Sequence, residues 1–298
     1  MNRLLVLRLS ALGDVIHTIP AVVSLKGAAD ITWVVEAPYG ELVEIVAGVK
    51  TIPVRMKKWT REPKAALQAL RGMRGFDASI DFQGLIKSSM LGALSGAKRR
   101  YGFDRQAIRE KPALLFTNRK VEVDTTQHVI DQNLQLARAA GSWQPETASW
   151  QQFPMAVEGC GGAIVLLPGA GKPDKVWPVD RFRALARQVG SRALAVWGPG
   201  EIALAQAIGA RMAPATNLRQ LAWVLQKAEV VIGADTGPLH LAAALGTKVI
   251  GLYGPTDPRR NGPYGQLGRC LDHFAVTKSM KSISVEEVMK TLQRVVAE

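Results

Sequence analysis

Four segments of this 298-residue chain gather side chains able to do chemistry, and each follows a short apolar run. The first is Ser10-Ala11-Leu12-Gly13-Asp14-Val15, directly after Leu4–Leu9. Gly13 lets the turn tighten, and Asp14 falls where a helix should begin. A carboxylate at a strand's carboxyl end can act as a general base; an Asp there can equally serve as an N-cap. The second is Ala234-Asp235-Thr236-Gly237-Pro238-Leu239-His240. Pro238 suits a first helical turn, and the free amides and positive dipole end of a helix N-terminus suit a diphosphate. Thr236 adds a hydroxyl donor. Asp235 is either a site residue or a cap, and His240 either a site residue or a core histidine. The third runs from Pro168-Gly169-Ala170-Gly171-Lys172 to Lys175-Val176-Trp177-Pro178. Glycines at a strand exit let backbone approach phosphate, and Lys172 and Lys175 can neutralise it; the alternative is a surface loop with solvated lysines. Trp177-Pro178 reads as structural. The fourth, Trp197-Gly198-Pro199-Gly200-Glu201, offers a carboxylate for ribose hydroxyls, or simply a Glu opening a helix.

These segments need a scaffold that presents strand ends. Strands are expected at Leu4–Leu9, Ile31–Glu36, Thr51–Met56 and Ala78–Asp81. Helices between them fall at Val15–Lys26 (kinked at Pro20), Tyr39–Ala47 and about Pro63–Arg74. Ala97–Asp124 reads as irregular and basic, followed by a helix from about Thr126 to Ala140. Gly141–Gly162, with Pro145, Pro154 and the Gly159–Gly162 cluster, is the expected linker. The alternation then restarts, with strands at Ala163–Leu167, Ala193–Trp197, Val230–Ala234 and Lys248–Tyr253. Its helices are expected at Val179–Val189, Leu218–Lys227 and Pro238–Leu245. Ser284-Val285-Glu286-Glu287 is a capping box that opens a last helix. Strand-first alternation predicts an α/β chain with two Rossmann-like domains of parallel strands, 1–150 and 151–298, facing across a cleft. The last helix is free to pack back on the first domain. In such folds ligands bind beyond the carboxyl ends of the strands, where the four segments lie.

Composition narrows the chemistry. Hydrophobic residues make up 47% and charged residues 21%, a globular mix. Cys160 and Cys270 form neither a metal spacing nor a disulfide framework, which makes a reducing cytoplasm the default. The start, Met1–Arg8, reads as a first strand because Arg8 interrupts the apolar run and no small-residue cleavage site follows. Gly-x-Gly-x-x-Gly is absent after the first strand, as are a Walker loop, Asp-x-Asp, His-Glu-x-x-His and Gly-x-Ser-x-Gly. No cofactor or metal is therefore expected, and leaving-group charge falls to lysines and helix amides. The net charge is +13, and Lys50–Lys120 holds 17 Lys and Arg against 5 Asp and Glu, an excess of 12. Such a segment fits a polyanionic partner: nucleic acid, an anionic membrane or a phosphorylated substrate. A solvated basic face is the alternative.

Together the segments resemble a known family. Ser-Ala-Leu-Gly-Asp-Val-Ile-His-Thr-Ile-Pro (10–20), Asp-Phe-Gln-Gly-Leu-Ile-Lys-Ser (81–88), Lys175-x-Trp-Pro, Ala-Asp-Thr-Gly-Pro-Leu-His (234–240) and Tyr-Gly-Pro-Thr-Asp-Pro (253–258) occur in the order seen in the ADP-heptose:lipopolysaccharide heptosyltransferases, glycosyltransferase family 9 with the GT-B fold. Residues 107–120 and Gln127-His128 are most similar to the heptosyltransferase I type. That resemblance implies inverting transfer of L-glycero-D-manno-heptose from ADP-heptose to the inner Kdo of Kdo2-lipid A. It implies Asp14 as catalytic base and Lys175 facing the donor phosphates. Glu201 would lie near the adenosine, Thr216 beside the adenine, and Asp235, Thr236, Gly237 and His240 would cradle the donor. Arg61, Lys87, Arg109 and His128 fall on the acceptor side. Where the first type carries paired threonines before the lysine, this chain has Ala170 and Gly171, closer to the Pro-Gly-Ala-like loop of the second type.

The basic segment then has a partner, since lipid A phosphates, Kdo carboxylates and an anionic inner leaflet are all oxyanions for Arg and Lys. The resemblance implies a cytoplasmic monomer, peripheral on the inner membrane. Two rivals remain. A nucleotide-sugar epimerase shares the fold but leaves the basic half unexplained. A nucleic-acid binder would need a recognition helix or stacking aromatics, and none is found.

Overall fold

The computed structural model describes residues 2–141 and 156–298. The chain divides into two compact units, Met1–Gln151 and Gln152–Glu298. Most of the expected linker, including Pro145 and Pro154, lies outside the described residues.

The first unit runs β1 (Arg3–Leu7), α1 (Leu12–Val23), β2 (Asp30–Glu36), α2 (Ala37–Ala47), β3 (Lys50–Val54), α3 (Pro63–Gly72), β4 (Ala78–Asp81), α4 (Ile86–Leu94), β5 (Arg99–Phe103), β6 (Arg119–Val121) and α5 (Val129–Ala140). Its strands form one sheet in the order β3-β2-β1-β4-β5-β6, with every pair parallel. β1 is central, so Leu4–Leu7 are buried on both faces, as parallel strands covered by helices require. α1 continues through Pro20, and almost every residue from Val15 to Val23 is buried, because the helix also packs against α5.

The second unit runs β7 (Ile164–Leu167), α6 (Val179–Val189), β8 (Ala193–Ala195), α7 (Ile202–Ile208), β9 (Arg211–Met212), α8 (Leu218–Gln226), β10 (Val230–Ala234), α9 (Gly237–Ala244), β11 (Val249–Tyr253), α10 (Pro258–Asn261), β12 (Leu271–Asp272) and α11 (Val285–Ala297). Its sheet has the order β12-β11-β10-β7-β8-β9, again all parallel. Counted from its own first strand, this is the same doubly wound order as the first sheet. In each sheet the connections reverse direction beside the first strand, between β1 and β4 and between β7 and β10. Loops diverge there and open a crevice at the carboxyl edge.

Several features differ from expectation; α7, β9, α10 and β12 have no counterpart among the expected elements. The 97–124 stretch contains two strands, β5 and β6, paired to the sheet edge; their Arg- and Lys-rich sequences lack strand alternation. α4 was not expected either, since Ser88, Ser89 and Gly92 are poor helix residues. Tertiary contacts override that: a Cβ on Gly92 would lie 2.9 Å from Leu7 Cδ1, so the glycine lets α4 sit directly on β1. The C-terminal helix α11 opens at the expected capping box. Its capping box closes through Glu287 N to Ser284 Oγ (3.1 Å) and Ser284 N to Glu287 Oε2 (2.7 Å). Val288, Leu292 and Val295 then join the second unit's core with Phe182, Ile232 and Ile250.

Candidate functional site

In the first unit the switch between β1 and β4 is closed by side chains. Arg8 follows β1 and is only 3% exposed. One guanidinium nitrogen donates to the Phe82 carbonyl beyond β4, and Nη2 lies 2.6 Å from Asp14 Oδ1. Burial lowers the Arg8 pKa, and the Asp14 carboxylate opposes that shift. Asp14 is the third residue of α1, behind the N-cap Ala11, and makes no cap. The capping alternative therefore fails: the carboxylate is spent on cations, not amides. Arg109 completes the arrangement, with Nη2 3.4 Å from both Asp14 oxygens. Asp14 is 24% exposed and Arg109 46%, so the carboxylate is paired with one buried cation and one half-exposed cation.

The loop after β4 builds the other wall. Asp81, buried at the end of β4, accepts from Ser88 Oγ (3.0 Å), Ser89 Oγ, Gln83 N (2.8 Å) and Gly84 N (3.2 Å). Burial pushes its carboxyl up, and these donors, Ser89 foremost, pull it back only in part. Gln83 then crosses the switch to accept from Leu9 N at 2.7 Å. Gly84 has φ +66°, and a Cβ there would lie 3.3 Å from Arg109 N, so the glycine lets the Arg109 backbone close on this loop.

The expected acceptor-side residues do not all behave alike. Arg109 reaches Asp14. Lys87 is exposed in the first turn of α4, beside the Asp81-anchored loop, and Arg61 is exposed in the turn before α3. His128 is buried and is the N-cap of α5, with Nδ1 accepting from Ile130 N at 3.2 Å. Its ring sits edge-on to buried His17 at 5.5 Å.

In the second unit the equivalent switch holds a buried carboxylate. Asp235 Oδ2 accepts from Lys175 Nζ at 2.7 Å, and Oδ1 meets His240 Nε2 at 2.9 Å and Asn261 Nδ2 at 3.0 Å. Burial alone would raise the Asp235 carboxyl. His240 and then Lys175 outweigh it through hydrogen bonds and charge and hold the group well below the usual carboxylate range. Tyr253 on β11 is pushed the other way, by burial first and then by the Asp235 charge. Thr236, not Asp235, is the N-cap of α9, and it makes no side-chain cap. Its Oγ1 is buried without a hydrogen-bond partner among the described residues, at a helix start where Gly237 opens the first turn. A partnerless hydroxyl beside free helix amides suits an anion.

Lys175 ends a short 3₁₀ helix (Pro173–Lys175) that follows the β7 exit. Trp177 anchors that segment, fully buried, with Nε1 donating to Ile283 O at 3.0 Å. Ala170 packs against the core and Gly171 is exposed just before Lys172. Glu201 bends back to accept from Gly198 N at 2.8 Å. Its carboxylate lies over Gly169, where a Cβ would come within 1.9 Å of Oε1. Thr216 lies in the loop before α8, whose cap is Asn217. Trp197 Nε1 ties the β8 exit to that loop through Ala213 O at 2.9 Å.

A buried carboxylate beneath a lysine and a helix start, in a doubly wound unit, fits nucleotide-diphosphate chemistry. Comparison with known proteins agrees. The model for glycosyltransferase family 9 (heptosyltransferase) matches residues 65–290. Lipopolysaccharide heptosyltransferase 1 of Escherichia coli is 34% identical over 292 residues, covering 89% of this chain and 91% of the relative. The chain belongs to glycosyltransferase family 9. Another family 9 relative, lipopolysaccharide heptosyltransferase 1 of Pseudomonas aeruginosa, is 33% identical, covering 89% of this chain and 82% of the relative. Among solved structures, Escherichia coli heptosyltransferase WaaC with ADP aligns at a TM-score of 0.84 and 28% identity, covering 98% of this chain and 99% of that one. The two six-stranded parallel units thus match the GT-B fold expected of family 9.

Two members of this family 9 site escaped the sequence reading. Arg8 looked like an interruption of a strand, and Asn261 had no motif around it. The signal for Arg8 was a cation set in an otherwise apolar buried strand run.

Proposed function

We propose that this chain moves L-glycero-D-manno-heptose from ADP-heptose to the inner Kdo of Kdo2-lipid A, with inversion at the anomeric carbon. The observation that carries the reading is the pair of charged centres, one at the switch of each sheet, in a chain whose relatives are named heptosyltransferase 1. The match to WaaC with ADP-2-deoxy-2-fluoro heptose, at a TM-score of 0.82 and 27% identity, supports ADP-heptose as donor. The Ala170-Gly171 loop does not move the reading to the second type, since two relatives at 34% identity carry the first type's name.

In this proposal Asp14 takes the proton of the acceptor hydroxyl as its oxygen bonds to the anomeric carbon. The bond from that carbon to the diphosphate oxygen breaks, and ADP leaves with the electron pair. Lys175, Thr236 and the amides at the start of α9 meet the developing charge; one such donor is worth about 3–4 kcal/mol. Arg8 keeps Asp14 oriented, and Arg109 is free to exchange Asp14 for an acceptor oxyanion. Glu201 and the Thr216 loop hold the nucleoside. The basic first unit favours a peripheral place on an anionic membrane; no helix among the described residues is long and apolar enough to cross one.

The decisive experiment is mass spectrometry of the product formed from ADP-heptose and Kdo2-lipid A. A single added heptose on Kdo is the expected result; isomerised sugar without acceptor would mark an epimerase instead. Two kinetic outcomes test the assignments. Gly169→Ala should push the Glu201 carboxylate off Gly198 N and raise the ADP-heptose KM several-fold at nearly constant kcat. An unchanged KM removes Glu201 from donor binding. Arg61→Glu should raise the acceptor KM about tenfold or more, because a charged hydrogen bond becomes a repulsion. Steady-state rates against acceptor concentration decide it.

A further inference from the structure

The first unit carries an apolar face that neither half-site uses. On α4, Ile86 (40%), Met90 (39%) and Leu94 (52%) are exposed at spacing i, i+4, i+8, one stripe of the helix. The opposite face of α4, with Ser88, Ser89, Leu91 and Gly92, is buried. A short 3₁₀ helix, Lys111–Leu115, packs against α4 and ends in Leu115, which is 83% exposed. Four of the large exposed apolar side chains of the chain thus sit on two adjoining elements. α3, the other exposed helix of this unit, offers only Leu67.

The charge around this face has one sign. Residues 82–121 hold nine Lys and Arg against Asp104 and Glu110. Both acids are turned to backbone. Glu110 Oε2 accepts from Ile86 N at 2.7 Å, and Asp104 Oδ1 accepts from Gln106 N and Ala107 N, each at 3.1 Å. Lys87, Lys98 and Lys111, at the ends of the two elements, are exposed. An apolar stripe within a field of lysines is the pattern of a helix lying in a lipid interface, with side chains in the acyl boundary and ammonium groups at the phosphates.

We infer that α4 and the Lys111–Leu115 helix form the face by which this chain docks on an anionic lipid bilayer. The inference rests on the peripheral membrane reading given under the proposed function and assigns it a surface. It also gives Lys87 a neighbour in the lipid, because Lys87 shares α4 with the stripe. The positive field alone would draw the chain to any polyanion; the adjoining leucines select a surface with an apolar layer beneath its charge.

The test uses the full chain with vesicles of phosphatidylglycerol and phosphatidylethanolamine, and separately with phosphatidylcholine vesicles. Wild type should co-sediment with the anionic vesicles and only weakly with the neutral ones. Leu94→Glu and Leu115→Glu should each lower the partition coefficient about tenfold, the loss expected when an apolar side chain no longer enters the boundary. Val276→Glu, at a residue 85% exposed in the second unit, should leave it unchanged. Transfer of heptose to a de-acylated, water-soluble Kdo acceptor should stay within about twofold in all three variants. Wild-type partitioning in the Leu94 and Leu115 variants overturns the proposal, as does an equal loss in Val276→Glu. So does a wild-type dimer, seen by light scattering, that Leu115→Glu dissolves, since a second copy would then be the occupant. Absence of transfer by wild type to the soluble acceptor would count against the proposed function, independently of the vesicle result.

Discussion

Asp14→Asn should lower kcat by about 10²–10⁴-fold, the usual worth of a positioned base, with ADP affinity unchanged. The amide keeps the shape of the carboxylate but cannot take a proton. Asp14→Ala should lose as much turnover, and both variants should lose stability, Asp14→Ala the more because an Asn oxygen can still accept from Arg8. Arg8 is 3% exposed and pairs with Asp14 at 2.6 Å. Without its counter-charge the buried guanidinium remains, and breaking such a pair costs about 3–5 kcal/mol. Partial exposure of Asp14 puts the loss at the lower end. Single-turnover rates and urea unfolding of the two variants separate these effects. Turnover of Asp14→Asn within a few-fold of wild type would end the base assignment.

The second large effect is expected at Asp235. In Asp235→Asn the three donors that converge on the carboxylate, from His240, Lys175 and Asn261, face a neutral amide with one acceptor oxygen. The loss should reach about 3 kcal/mol or more for a buried ion pair, and kcat should fall as Lys175 loses its anchor. A pH signature distinguishes this from simple loss of packing. Because the folded state holds the Asp235 carboxyl well below the usual range, its contribution is complete above the unfolded pKa of about 4 and is lost as pH falls below that. Wild type should therefore lose stability in acid, and Asp235→Asn should show a flatter acid limb in denaturant midpoints measured from pH 7 downward. Parallel curves for the two proteins would place the pH dependence elsewhere. Asn261→Ala removes one hydrogen bond to a charged group and should cost less, about 1.5–3 kcal/mol.

Much of this architecture is legible in the sequence because its physical causes are local. Apolar runs broken by Gly and Pro mark β1, β7, β10 and β11, and the Ser284–Glu287 box marks the start of α11 almost to the residue. What escapes is what depends on distant chain. α4 is a poor helix by composition and exists because Asp81 grips Ser88 and Ser89 while Gly92 lies on Leu7. β5 and β6 are polar strands made by backbone pairing at a sheet edge. The same division runs through the site. Asp14, Lys175 and Asp235 stand at strand exits, where order along the chain is enough to find them. Arg8 and Asn261 become members only when the chain folds them onto those carboxylates. Asp235 shows how a cap-like motif can mislead, since Thr236 occupies the cap and Asp235 the centre.

The repeated strand order has a consequence for how such a chain can change. Each unit carries its own reversal and its own charged centre, formed by residues at the strand exits and the helix starts beside them. Under the proposed function, acceptor preference can change through the loops after β4 and β5 while the residues around Lys175 and Asp235 stay as they are. A chimera that exchanges only residues 82–118 with those of a relative should inherit that relative's acceptor and keep this chain's donor. The fold works as two separately editable registers, and a new sugar–acceptor pairing can arise by rewriting one of them.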